Sequence, residues 1–317
     1  MNAKAGMAVV AVGGNALVID NNRKTIPDQF EAARNAMASV ADMIAKGWDV
    51  VITHGNGPQI GYILRRSELA LQELHPVPMD YAVADTQGAI GYMFQKALGN
   101  ELRLRGLQRE VVSVVTQIRV DGEDVAFTRP NKPIGAFMDK ETADEQAINM
   151  GWTVGDDSGR GWRRLVPSPR PVDVIELDCI RTLVQAGCVV VACGGGGIPV
   201  IEKENGGLRG VEGVIDKDHA SSLLARKINA DLFVISTAVE KVALNYGQPD
   251  QRWIDRATLS ELKRYYASGH FPSGSMGPKI EAMIHYLSSG GSRGIITDPR
   301  HMARAVYGKS GTELVPD

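Results

Sequence analysis

A doubly wound α/β fold follows from three features of the 317-residue sequence. Short apolar runs occur without apolar–polar alternation, each stops at a glycine-rich turn, and helical segments separate them. A run without alternation suits a parallel strand covered on both faces. Strands that alternate with helices imply right-handed crossovers and a sheet with helices on both sides.

The first such run is residues 7–12 (MAVVAV), which ends at Gly13-Gly14. A helix is expected from roughly Asp28 to Lys46, where Ala, Met and Ile recur on one face. WDVVITHGNG repeats the strand and turn, and GCVVVACGGGG at 187–197 does so again. DLFVIST (231–237) and GIITD (294–298) supply a fourth and a fifth strand. In such sheets ligands gather at the C-terminal ends of the strands, where each glycine-rich turn lies. Residues 117–172 break the rhythm. They are rich in Asp, Gly, Pro, Arg and Lys and read as an excursion from the sheet, while Trp152, Trp162, Phe127 and Phe137 argue against disorder there.

Composition narrows the function classes. Apolar residues make up 44% of the chain, enough for a sizeable core. Lysine and arginine number 35 against 37 acidic residues, a formal charge of −2, and no basic stretch is interleaved with aromatics. Neither nucleic acid nor a membrane is therefore expected as partner. The apolar run near the start is too short to span a bilayer and lacks a secretory cleavage region. Three cysteines, Cys179, Cys188 and Cys193, form no CxxC pair. A disulfide framework or a cysteine zinc site is not expected, and the cytoplasm is the expected compartment.

The turns carry the candidate chemistry. Gly13-Gly14-Asn15 lets the backbone approach a ligand and offers N–H groups to an anion, although a tight strand-to-helix turn asks for similar residues. His54-Gly55-Asn56-Gly57-Pro58 makes an anion nest, with Pro58 suited to the first turn of the next helix. His54 invites the role of general base, yet a lone histidine at a strand end more often packs and hydrogen-bonds. Gly194 to Gly197 are four glycines in a row. Glycine weakens regular structure, so close approach to a ligand or another loop is the expected cause. No loop fits GxxxxGK followed by Ser or Thr, or GxGxxG with an acidic residue on the next strand, which disfavours P-loop and dinucleotide sites.

Three lysines complete the pattern. Lys132 lies in NKPIGAF, Lys217 between Asp216 and Asp218, and Lys279 in FPSGSMGPKIEAMI at the start of a helix. Any one alone reads as a solvated charge. Together with N–H-lined turns they supply what phosphoryl transfer requires, namely positive groups and donors around the β- and γ-phosphates. A neighbouring aspartate would orient such lysines or help to hold Mg2+.

GGNAL, THGNGPQIG, DTQGAIGY, KPIG, GRGWRRLVPSPRP, CGGGGIPVI, GVEGVIDKDHAS, NYG and SGSMGPKIEA occur in this order over nearly the whole chain. In this combination the sequence resembles the carbamate kinases. The resemblance implies the amino acid kinase fold, an open three-layer α/β/α sandwich with a mainly parallel central sheet and a small protruding subdomain at about 117–172. Residues 1–212 would form a lobe for carbamate and carbamoyl phosphate, and residues 213–317 a nucleotide lobe. It further implies a homodimer that uses ATP/ADP with Mg2+ in the reversible reaction ATP + carbamate ⇌ ADP + carbamoyl phosphate. The expected direction is ATP synthesis in arginine or purine-derivative catabolism.

Carried over position by position, Lys217 and Lys279 would hold the transferring phosphoryl group and Asp218 would orient them. Lys132 would reach over the centre from the subdomain. Gly13, Gly14, Asn15, Gly55, Asn56 and Gly57 would surround the carbamoyl phosphate end. Thr237, Ala238, Asn245, Tyr246, Ser275 and Met276 would hold the nucleotide, with Mg2+ carried on its phosphates and no protein ligand assigned to it. One position departs from the pattern. Where the family often has aspartate in the stretch TAVEKVALNYG, this chain has Glu240, which keeps the charge on a longer stem. Two alternatives stand beside this reading: another amino acid kinase acting on a different small carboxylate, and a non-catalytic nucleotide- or ligand-binding regulator. KPIG and RGWRRLVPSPRP count against the first, and the retention of Lys132, Lys217, Asp218 and Lys279 counts against the second.

Overall fold

The computed structural model describes residues 5–14, 17, 23, 25–157, 159–272 and 274–317. The chain opens with β1 (Gly6–Val12), α1 (Ile26–Ala45) and β2 (Trp48–His54). Next come α2 (Gly57–Leu69), the long α3 (Met79–Leu104), β3 (Val111–Ser113) and β4 (Gln117–Val120). A stretch with β5 (Lys132–Met138), α4 (Lys140–Met150), β6 (Thr153–Asp156) and β7 (Trp162–Val166) follows. Then β8 (Pro171–Val174), α5 (Leu177–Gln185), β9 (Val189–Val191), β10 (Ile198–Glu202) and β11 (Leu208–Gly210) lead to α6 (Lys217–Lys227) and β12 (Leu232–Ser236). The last part holds β13 (Val242–Leu244), β14 (Arg252–Ile254), β15 (Arg256–Thr258), α7 (Leu259–Ala267) and α8 (Met276–Ser288). It closes with β16 (Gly294–Thr297), α9 (Met302–Val306) and β17 (Thr312–Val315).

Among the described residues the main sheet has eight strands in the order β15-β17-β16-β12-β1-β2-β9-β3. All neighbours run parallel except β16 and β17. The chain moves from β1 to β2 on one side and later to β12 on the other, which makes the end of β1 a topological switch point and the natural place for a ligand crevice. Register brings the neighbouring strand ends level, since Val12 pairs with both His54 and Ser236.

The apolar run of β1 is continuous because both of its faces are buried. Ala8, Val10 and Val12 pack with Met37 and Val40 of α1 and Phe94 and Leu98 of α3. Val9 and Ala11 belong to the opposite core, with Leu224 of α6 and Ile280 and Tyr286 of α8. These two cores make the three-layer α/β/α sandwich. Helix α1 begins two residues earlier than Asp28, because Thr25 caps it: the Asp28 N–H donates to Thr25 Oγ1 and the Thr25 N–H to Asp28 Oδ2.

Within residues 117–172, β5, β7 and β6 form a three-stranded antiparallel sheet that packs with α4. The flanking β4 and β8 instead join β10 and β11 in a four-stranded sheet. The small lobe rests on α2 at a point without side chains, where a Cβ on Gly61 would lie 3.0 Å from Gly135 Cα. Among the described residues, no helix is long and apolar enough to cross a membrane.

The core predicts a clear contrast between two α3 substitutions. Phe94 is fully buried, so Phe94→Ala should cost about 3–5 kcal/mol. Leu104 is 83% exposed, and Leu104→Ala should stay within about 0.5 kcal/mol. Guanidinium unfolding midpoints at unchanged slope measure both.

Candidate active site

The C-terminal ends of β12, β1, β2 and β9 lie side by side, the position at which ligands bind in such sheets. After β1 the Gly13 N–H donates to Ser236 O at 3.2 Å, and after β2 the Gly55 N–H donates to Val12 O at 2.9 Å. These bonds fix the loops but occupy two N–H groups of the nests, so Gly14, Asn56 and Gly57 are the backbone donors that remain candidates for an anion. The two loops then touch backbone to backbone. A Cβ on Gly55 would lie 2.7 Å from Gly14 N and 3.2 Å from Lys217 Cδ, so only glycine permits this approach. Asn56 Nδ2 donates to Thr86 Oγ1 at 2.9 Å, and Gly57 and Pro58 occupy the first turn of α2. Asn15 lies outside the described residues.

The four-glycine turn closes the crevice on another side. Gly195 (φ 68°) and Gly196 (φ 93°) hold left-handed conformations, and Cβ atoms there would come within 2.1 Å of Asn56 Nδ2 and 2.4 Å of Ile215 O. Close approach to other loops is therefore what the glycine run serves. Gln87 pins it: Nε2 donates to Gly194 O at 2.9 Å and to Thr116 O at 3.0 Å, while Oε1 accepts from Thr116 N at 2.8 Å. Thr116 Oγ1 in turn accepts from Cys193 N at 3.0 Å. The sequence singled out neither residue, and the DTQG string around Gln87 was the one available signal.

His54 is a packing residue. It is 1% exposed, its Nδ1 lies 3.1 Å from Gly55 O, and its ring meets Phe94 edge-on. Burial pushes its pKa down to about 4; the hydrogen bond to Gly55 O opposes this and the Lys217 charge adds to it.

The lysines gather around two aspartates at the start of α6. Asp216 caps this helix, its Oδ1 accepting from Asp218 N at 2.9 Å. Lys217 is the first helical residue, and its Nζ donates to Asp218 Oδ1. From α8, Lys279 Nζ donates to Asp218 Oδ2 at 3.1 Å and to Ser275 O at 3.3 Å. Ser222 Oγ, donating to Ala282 O at 2.8 Å, ties α6 to α8. Lys132, the first residue of β5, donates to Ile215 O at 3.2 Å and to Asp216 Oδ2 at 3.4 Å. The structure thus brings all four candidate catalytic residues together, beside the glycine loops.

Charge balance in this cluster is uneven. Burial pushes the Asp218 carboxyl up, but Lys217 and Lys279 outweigh it and hold the group below the usual carboxylate range. At Asp216 burial is again the largest single influence and pushes the carboxyl up, but Lys132, His219, Lys217 and Lys279 together hold it well below that range, Lys132 contributing most among them. Burial lowers the Lys217 pKa, with Asp218 opposing, whereas at Lys279 the aspartates overcome burial and raise it. Three ammonium groups against two carboxylates leave one net positive charge at the N-terminus of α6, where the helix dipole also favours an anion.

The candidate nucleotide residues fall in three places. Thr237 and Ala238 follow β12, with Thr237 N–H donating to Thr297 O at 2.8 Å. Asn245 and Tyr246 follow β13, and Tyr246 is 61% exposed beside Trp253. Ser275 and Met276 begin α8. Asn245 Oδ1 lies 2.6 Å from His270 Nδ1, linking the second group to the segment that leads into the third. Glu240 accepts from Ser310 Oγ, and its other oxygen is 4.0 Å from His301 Nε2.

A divalent metal would have few protein ligands here. Among the described residues no group of three or more His, Cys, Asp and Glu is placed to hold one, and both oxygens of Asp218 are given to lysines. This donor set fits Mg2+ brought on nucleotide phosphates, the usual arrangement for an ion that keeps its waters.

A sequence profile of the amino acid kinase family matches residues 6–298. The chain belongs to this family, and its fold and relatives define a phosphotransferase. The carbamate kinase of Pyrococcus horikoshii is 49% identical over 311 residues, 97% of this chain and 98% of that protein. A carbamate kinase-like protein of Escherichia coli is 46% identical over 312 residues, 98% of each. Among solved structures, the carbamate kinase of Giardia lamblia bound to AMP-PNP has a TM-score of 0.92 at 38% identity, with all of both chains covered.

The burial of His54 gives a pH prediction. Folded His54 stays neutral down to about 4, whereas an unfolded histidine takes up its proton near 6.5, so between these values the unfolded state binds more protons. The stability from neutral His54 is complete above 6.5 and is lost as pH falls toward 4, by about 3 kcal/mol. Denaturant titrations across this window should show a steeper loss in the wild type than in His54→Gln.

Proposed function

We propose that this protein is a carbamate kinase, catalysing ATP + carbamate ⇌ ADP + carbamoyl phosphate. The observation that carries the reading is the convergence of Lys217 and Lys279, from two helices, on the buried carboxylate of Asp218 beside the glycine loops. The 49% identity to the Pyrococcus horikoshii carbamate kinase supports carbamate as the acceptor.

Carbamate is already an anion, so its oxygen attacks the γ-phosphorus in line without a general base. That suits a crevice whose histidine, His54, is neutral and buried. The new O–P bond forms as the bond to the ADP oxygen breaks, with no covalent enzyme intermediate. Lys217 and Lys279 donate to the oxygens of the transferring group, Asp218 holds them in direction, and Lys132 adds a third positive charge from the lobe. Gly13, Gly14, Asn15, Gly55, Asn56 and Gly57 surround the carbamoyl end, with the N–H groups of Gly14, Asn56 and Gly57 as its donors. Mg2+ on the nucleotide phosphates would neutralise charge there.

In this reading residues 1–212, including the protruding part at about 117–172, serve carbamate and carbamoyl phosphate. Residues 213–317 serve the nucleotide, through Thr237, Ala238, Asn245, Tyr246, Ser275 and Met276. The likeness to carbamate kinases supports a homodimer that runs toward ATP in arginine or purine-derivative catabolism. The three unpaired cysteines suit the reducing cytoplasm.

Purified protein given carbamoyl phosphate, ADP and Mg2+ should form ATP. Lys217→Ala should stay folded yet lose on the order of 10²–10³-fold in turnover, the scale of one transition-state donor. A Lys217→Ala enzyme near wild-type turnover would remove the role assigned to that lysine. Phosphorylation of an N-acetylated amino acid, with no ATP from carbamoyl phosphate, would reassign the acceptor.

A further inference from the structure

We propose that Asp216 is a positioning residue whose carboxylate seats Lys132, and with it the β5–α4–β6–β7 lobe, at the phosphoryl-transfer centre. What the centre does rests on the function proposed above; the seat itself rests on geometry alone.

The two oxygens of Asp216 do different work. Oδ1 accepts the Asp218 N–H at 2.9 Å and caps α6. Oδ2 accepts from Lys132 Nζ at 3.4 Å. Among the described residues, the Lys132 ammonium has one other acceptor, Ile215 O at 3.2 Å. Lys132 is the first residue of β5, so this pair fastens the lobe where its sheet begins.

A second carboxylate is needed there for an electrostatic reason. Lys132 brings a third ammonium group into the cluster, and all three lysines act on Asp216. Asp218 already carries two ammonium groups, Lys217 on one oxygen and Lys279 on the other, and Lys132 donates to Asp216 instead. Asp216 feels all three lysines and His219. His219 offers no substitute partner: it faces Arg170, whose Nη1 lies 2.8 Å from His219 Nε2, and Glu281. The uncharged contact of Gly135 with Gly61 sets the distance of the lobe from α2 but does not place an ammonium group. An anionic substrate then finds Lys132 already at the centre rather than having to draw it in.

Asp216→Asn separates the two tasks. Asparagine caps a helix as well as aspartate does, so Oδ1 keeps its bond while the charge on Oδ2 is gone. Hydrogen–deuterium exchange on the full-length protein without ligands reads the seat directly. Amides of β5 and β7 should exchange faster in Asp216→Asn and in Lys132→Met by roughly tenfold, the scale of a hydrogen bond to a charged group. Amides of α6 should be unchanged, and the double variant should be no faster than either single. In phosphoryl transfer, Asp216→Asn should fall to the kcat of Lys132→Met, and Asp216→Glu should recover part of it. Wild-type exchange in the lobe of Asp216→Asn would overturn the proposal. So would faster exchange in α6, which would make Asp216 a cap alone, or multiplied effects in the double variant, which would make the two residues independent. The exchange measurement needs no turnover. If the wild type makes no ATP while the two variants show the lobe response, the proposed reaction is refuted and the seat stands.

Discussion

Asp218 is 2% exposed and gives one carboxylate oxygen to Lys217 and the other to Lys279, so each charge is tolerable only because the others are present. Buried charges are costly unless paired and hydrogen-bonded, and removing one partner from such a pair costs about 3–5 kcal/mol. The sharing sets where α8 must lie against α6, since Lys217 and Lys279 sit in their first turns. Ser222, bonded to Ala282 O, holds the same helices together one turn further along. Two helix N-termini and two ammonium groups are thereby aimed at one crevice before any ligand arrives, the preorganisation on which electrostatic catalysis depends.

The opposite wall is made of glycine backbone, packed against other backbone and against the Asn56 side chain. Gly14 meets Gly55, Gly195 meets Asn56 and Gly196 meets Ile215, each at distances that exclude a Cβ. Glycine serves here mainly to let three loops reach one another, and some of the N–H groups it frees are spent on holding strand ends together. Buried Gln87 and Thr116 keep the four-glycine turn from relaxing out of its left-handed conformations. The lysine wall and the glycine wall meet where the Lys217 side chain runs past Gly55.

Much of the fold was legible because its signals are local. The unbroken apolar run of β1 declares a strand buried on both faces, and glycines at strand ends declare a crevice there. The order of strands was not legible, nor were the antiparallel β17 and the four-stranded sheet, whose strands have three to five residues and in which β4 pairs with β8 and β10 across more than 50 and about 80 residues. At the site, Lys217 beside Asp218 could be read from adjacency, and Lys279 followed from the family likeness. Gln87 could not be singled out, because a glutamine on a helix reads as surface until Thr116 and Gly194 are seen around it. The bond of Asp216 to Lys132 spans 84 residues, and nothing in either segment announces it. His54 shows the reverse case: a residue that invites catalysis in the sequence is neutralised by burial in the fold.

The most direct measurement is a crystal structure of the protein with AMP-PNP. The expected result places the terminal phosphoryl group within hydrogen-bonding distance of both Lys217 Nζ and Lys279 Nζ, in front of the α6 N-terminus and facing Gly14 and Gly55. A nucleotide bound with its phosphates directed away from α6, and both lysines still paired only with Asp218, would contradict the assignment of this cluster as the phosphoryl-transfer centre.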